Sequence, residues 1–369
     1  MNRFVFCLGI LSVAGIFLVR LAPRATAAQV DVSADFLASF NDIQANNVPN
    51  TDTDGLKYEQ VGVNFTGYFG DFTTTYVRVV GTGSSVSLDE AWVKISGLPA
   101  NGSFTFGRFY KPLGAPIPLA NLSFPALLVH AFPDVGVKFN FESYPFVTEF
   151  GYVNGNPLAI PTLASRVAGT PILSQMHISD RNLNHLRDVY LRGGVEFGEP
   201  WGSLTAGLTY TRGKLSPTEL RLLNPINPFT PSLLLKYRTE DRRNKREHFS
   251  FDVDYEKGPY EVFGEFLRAR DGRVLREVYS VSAQRTFFHR FGQVTFGLAY
   301  DKFNINTGAL LLQRPETWDR ERRSATITYA PSEYLQFIAE YDWNLESARD
   351  AAGKEIDNNE FVLQGLLYF

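Results

Sequence analysis

Sulfur is nearly absent from this chain: of 369 residues, one is cysteine and two are methionine. The cysteine, Cys7, lies inside an apolar N-terminal run, so the rest of the chain has no disulfide, thiolate nucleophile or Cys-x-x-Cys metal site. A second hydrophobic run is missing too. Beyond residues 4–19, no apolar segment approaches the roughly eighteen residues that a membrane helix needs. Basic charge is not in excess: 36 Lys and Arg face 39 Asp and Glu. That balance excludes a basic nucleic-acid binder by composition. Glycine-rich phosphate loops and His-x-x-x-His patterns do not occur. His248 stands near Ser250 and Asp252, but nothing marks a nucleophile. No enzyme, cofactor or metal centre is therefore expected, and no nucleic-acid partner.

Aromatic residues are abundant, with 31 Phe and 17 Tyr. Arg3, the apolar run 4–19 and the small-x-small triplet Ala25-Thr26-Ala27 form the pattern of a signal peptide over residues 1–27. Residues 28–369 would then be the exported domain. Losing Arg3, Arg20 and Arg24 takes the formal charge from −3 to −6.

The final residues show how that domain is built. Phe361, Leu363, Gly365, Leu367 and Phe369 alternate with Glu360, Val362, Gln364, Leu366 and Tyr368. A period of two is a strand with one apolar face. A closing strand that ends on an aromatic fits a membrane barrel whose last strand pairs with its first. The same alternation recurs over 31–41, 56–69, 72–80, 88–96, 103–111, 134–141, 146–154 and 187–197. It continues over 201–212, 248–255, 260–270, 273–287, 292–303, 318–329 and 334–344. With 359–369 this makes sixteen strands, an even number as single-chain bacterial barrels require.

The connections sort by parity. Those after even-numbered strands are short, and several after odd-numbered strands are long: 112–133, 155–186, 213–247, 304–317 and 345–358. Short periplasmic turns and long outer loops predict this asymmetry, which a soluble sandwich has no reason to show. The fold class expected is therefore all-β, a transmembrane antiparallel barrel in a bacterial outer membrane. Its polar face must line a water-filled lumen. The residues expected there are Arg78, Glu90, Lys94, Arg108, Lys111, Lys138 and Arg192, facing Asp252, Asp254, Glu265 and Glu340.

Residues 88–114 carry a Gly97-Leu98-Pro99 turn, and then Gly107-Arg108-Phe109-Tyr110-Lys111-Pro112-Leu113-Gly114. This stretch resembles the phosphate-selective porin O and P family. There, a strand ending near Gly-Leu-Pro precedes one ending in a Gly-Gln-Phe-Lys-x-Pro-Phe-type motif. The resemblance implies a trimeric, sixteen-stranded porin whose third outer loop folds into the channel. Here that loop would be residues 112–133, with Pro112, Leu119, Phe124 and His130 at the constriction. It holds no lysine or arginine, and the inward acids are at least as numerous as the inward bases. A phosphate filter wants a cationic ring, so the architecture is expected and the specificity is not.

The function expected is passive diffusion of small polar or ionic solutes. A channel for an apolar or aromatic solute, suggested by the apolar 112–133 loop, is the alternative. A structural sheath around a periplasmic partner protein is another. Outer-membrane lipid and lipopolysaccharide are the expected surroundings, with the basic run Arg242-Arg243-Asn244-Lys245-Arg246 as a candidate contact.

Overall fold

A wall with lipid on one side and water on the other needs strands whose faces differ. The computed structural model has that wall as one closed antiparallel barrel. It describes residues 29–45, 55–82, 85–112, 133–155, 158–159, 177–178, 187–200, 202–216, 219, 244–272, 274–306, 320–349 and 355–369. The leader 1–27 and the loop positions Leu119, Phe124 and His130 lie outside these residues.

The first half of the chain supplies β1 (Gln29–Ala45), β2 (Gly55–Phe69), β3 (Thr73–Thr82), β4 (Ser85–Leu98), β5 (Gly102–Phe109), β6 (Asp134–Ser143) and β7 (Phe146–Val153). Two short strands follow, β8 (Leu158–Ala159) and β9 (His177–Ile178), which pair only with each other. The second half supplies β10 (Asp188–Phe197), β11 (Ser203–Lys214), β12 (Lys245–Lys257), β13 (Tyr260–Asp271) and β14 (Val274–His289). It ends with β15 (Gly292–Asn306), β16 (Arg320–Ser332), β17 (Leu335–Arg349) and β18 (Glu355–Tyr368). With β8 and β9 set aside, sixteen strands form the barrel in chain order. β18 closes on β1 with Phe36 opposite Leu367, and backbone bonds run both ways between Ala34 and Phe369. Closure leaves no strand edge unpaired in lipid.

The outer face is apolar at mid-height, where Leu298 is 68% exposed and Val281 48%. Aromatics gather towards both rims, as at a membrane interface. Near the short turns, Phe287 and Phe296 meet edge to face with centroids 5.7 Å apart. Arg285 covers Tyr260 and Phe287 at 5.0 and 4.5 Å. Near the long loops, Phe249, Phe266 and Tyr279 form a continuous outward row.

All sixteen expected strands are present, and several of their outer ends overrun the expected limits. β1 reaches Ala45, β12 begins at Lys245, β17 reaches Arg349 and β18 begins at Glu355. Above the lipid both faces of a strand meet water. The apolar alternation fades there while the ladder continues.

Candidate functional site: the lumen wall

Paired residues in a ladder share a face, so the register sorts every described side chain. On β12, His248, Ser250 and Asp252 are buried on the inner face, while Phe249 and Phe251 are exposed on the outer. A closed belt of inward polar residues follows from the same alternation on each strand.

Four ionic clusters occupy this inner face among the described residues. The first joins β1 to β4. Arg78 bonds Asp35 at 3.0 Å and lies 3.4 Å from Asp89. Beside it, Tyr76 and Trp92 stack at 5.2 Å, and the Trp92 indole N–H donates to Glu90 at 3.2 Å. Asp89 is the extra residue of a bulge, because Arg78 opposes Glu90 while Val79 opposes Leu88. Lys94 follows on the same face, opposite Thr74 and Thr105. It has no ion-pair partner among the described residues.

The second cluster spans β5 to β12. Lys111 lies 3.5 Å from the buried Asp134, and Lys138 lies 3.3 Å from Glu149, which also accepts from Tyr190. Arg192 makes a two-toothed pair with Asp252 at 2.6 and 2.7 Å, a geometry that fixes both groups. It reaches Asp252 across Gly207, the residue that opposes Asp252 in the ladder. A Cβ at Gly207 would lie 2.2 Å from the Arg192 guanidinium. The substitution Gly207→Leu should therefore evict Arg192 from Asp252 and alter conductance; an unchanged single-channel conductance would count against this geometry. Thr209, beside the pair, donates its hydroxyl to the Pro112 carbonyl at 2.8 Å. The chain leaving β5 is thus held against β11, four strands along the wall.

The third cluster is the most enclosed. Arg246 on β12 reaches Glu219 at 2.5 Å, Asp271 at 3.2 Å and Asp188 at 3.4 Å. His248 and Arg276 also bind Asp271. Every member is 3% exposed or less. Glu219 is set by a capping box: its N–H donates to the Ser216 hydroxyl, and the Ser216 N–H donates back to its carboxylate. The Ser216-Pro217-Thr218-Glu219 spacing is readable in the sequence. What it docks on is not. The fourth lies further round, where Arg322 binds Asp301 at 3.0 Å and approaches Asp342 at 3.9 Å.

Two expectations need correction. Arg108 pairs with Ala91 and Val135, and Val135 is 40% exposed, so Arg108 belongs to the outward set. It curls back to donate to the Asp89 carbonyl at 2.7 Å, which keeps its charge out of lipid. The neighbouring Phe109 is the inward residue. Arg246 is likewise not a rim cation: the alternation turns it into the wall and leaves Lys245 outside. Arg242 and Arg243 lie outside the described residues.

Asp252 opposes Glu265, and Glu256 opposes Glu261, both on the inner face. Asp254 sits between these pairs with a buried oxygen that has no partner. Glu340, on β17, is buried opposite Thr326 and Val362. Asp254, Glu256 and Glu261 have no cationic partner among the described residues, and they lie at the short-turn end of the lumen. The inner wall therefore carries surplus negative charge there.

A closed sixteen-stranded barrel with an apolar exterior and a charged interior defines an outer-membrane protein of bacterial porin architecture. Solved structures share it. The outer-membrane channel DcaP of Acinetobacter baumannii superposes with a TM-score of 0.61 at 12% identity, covering 93% of this chain and 98% of that one. OprB of Pseudomonas putida gives 0.64 at 10% identity, over 92% and 94%. OmpT of Vibrio cholerae in a trimer form gives 0.58 at 13% identity, over 93% and 100%. Identities this low establish the fold. No family model matches the sequence, and no curated protein matches it.

Proposed function

We propose that residues 28–369 form a channel for passive diffusion of small polar or ionic solutes, exported by the leader 1–27 and assembled as a homotrimer. The observation that carries this reading is the lumen wall. It is lined by ionisable side chains, most of them paired in a ring of ion pairs rather than converging on a reaction centre. Arg78, Lys111, Lys138, Arg192, Arg246, Arg276 and Arg322 each hold a carboxylate. Fixed, paired charges order water without trapping a solute, and conduction needs binding weak enough to release.

The sign of the surplus charge argues against phosphate selection. The acids left unpaired at the short-turn end favour cations, so the channel passes cations in preference to anions. The reversal potential of the refolded protein in a planar bilayer under a salt gradient measures this directly. A cation-favouring value with well-defined steps is expected. Anion preference would restore the phosphate reading, and a folded barrel without conductance would favour the apolar-solute channel or the sheath.

Lys94 offers a finer check, because among the described residues no ion pair offsets its charge. Lys94→Glu should raise cation preference further with the barrel equally stable. Unchanged permeability ratios would remove Lys94 from the conducting path.

A further inference from the structure

The outer surface of the barrel is not uniform around its circumference. On β11 to β15 each strand carries an outward aromatic: Tyr210 opposite Phe249, Phe266 opposite Tyr279, and Tyr300. One outward position nearer the long loops, every strand carries a charge: Arg212, Glu247, Arg268, Glu277 and Lys302. Lys214, Lys245 and Arg270 extend this row, and Arg323 continues it on β16. On β2 to β7, by contrast, Arg108 is the single outward cation among the described residues, and it is turned back to a backbone carbonyl. The exposed positions Val86, Leu88 and Val135 occupy the same rim there.

The charges of the row do not cancel. Arg268 pairs with Glu277 at 3.3 Å and Lys302 with Glu321 at 2.9 Å. Lys214 and Lys245 stand directly opposite each other, and Arg212 and Arg270 flank the lone Glu247. Like charges directly opposite in a ladder destabilise it. Among the described residues no carboxylate forms an ion pair with Lys214, Lys245, Arg212 or Arg270. An aromatic belt sits at the headgroup level, so this row stands where lipid phosphates begin.

We propose that the β11–β13 face, centred on Lys214, Lys245 and Arg270, binds the phosphates of a multiply phosphorylated outer-leaflet lipid. The proposal rests on the outer-membrane reading above, and it assigns the lipid contact to one side of the barrel. One phosphate spanning Lys214 and Lys245 relieves their repulsion, and a second meets Arg270 at the edge of the row, where Glu247 already offsets Arg212. In a homotrimer each ring interface joins two different patches of the barrel, and a cation row favours a phosphate-bearing lipid over the apolar rim that β2–β7 would present to it.

The test uses the full barrel in detergent and native mass spectrometry, with bis-phosphorylated lipid A as probe and its dephosphorylated form as control. The wild type should retain the bis-phosphorylated lipid preferentially. Each charge near a lipid surface contributes about a fivefold factor, so K214Q/K245Q/R270Q should weaken retention roughly a hundredfold. Arg108→Gln, on β5 and outside the row, should leave it unchanged. Equal retention by the triple variant, or equal retention of the two lipids by the wild type, overturns the proposal. The double variant K214Q/K245Q, confined to exposed or half-exposed positions, gives the same reading should the triple fail to fold. Bilayer conductance keeps the two readings apart: a variant that conducts normally but sheds lipid supports the lipid site, whereas a barrel that retains lipid and never conducts strikes the channel reading alone.

Discussion

Arg246→Met should destabilise the barrel by about 3–5 kcal/mol, the cost of leaving buried charges without their partner. Arg246 binds both Asp188 and Glu219, whereas Asp271 also holds His248 and Arg276. Each of these carboxylates is buried, so water cannot replace the guanidinium. The position cannot simply be filled, because Asp188 lies over Gly213, where a Cβ would sit 1.7 Å from its carboxylate. Unfolding in urea from lipid vesicles, followed by the gel mobility of the folded form, measures the loss. Removing the orphaned acids as well, with Asp188→Asn and Glu219→Gln in the Arg246→Met background, should recover most of it. That recovery separates a charge penalty from lost packing, since the double replacement keeps volume. Arg246→Met unfolding at the wild-type urea concentration would show that the cluster contributes nothing to stability.

The cluster also shows what a sequence can and cannot disclose. Strand identity was legible throughout the transmembrane wall, because lipid and water impose a period of two on every segment. The direction of each side chain followed wherever that period was unbroken, as at Asp252 and Glu340. It fails at Arg108, where the register turns the charged residue outward and the neighbouring Phe109 inside. Partners were not legible. Arg192 finds Asp252 two strands away only because Gly207 intervenes, and that depends on three strands keeping one register. Asp89 entered the Arg78 cluster through a bulge that alternation cannot announce. Glu219 sits in a long connection, where strand alternation is silent, although its Ser-Pro-x-Glu spacing carries a local signal for a helix start. Sequence patterns report the solvent on each face. They do not report which charges meet across it.

Neutralising the short-turn end of the lumen should have the largest effect on transport. The variant D254N/E256Q/E261Q removes three carboxylates that have no cationic partner among the described residues, and it leaves the Arg192–Asp252 pair in place. A unit charge about 8 Å from a passing ion in water contributes about 0.5 kcal/mol, or about a twofold change in local ion concentration. Three such charges give roughly an eightfold fall in cation preference at low ionic strength. At about 1 M salt the Debye length shrinks to about 3 Å, and most of the difference should vanish. Both parts are read from reversal potentials across a series of salt concentrations. Glu256 and Glu261 face each other in the ladder, so their removal should also relieve repulsion and leave stability equal or higher. The paired acids supply the contrast: Asp252→Asn should change selectivity less than its single charge suggests, because it also frees the Arg192 cation it had neutralised. If the triple variant keeps the wild-type permeability ratio at low salt, ions do not pass this wall, and the narrow part of the path lies elsewhere in the lumen.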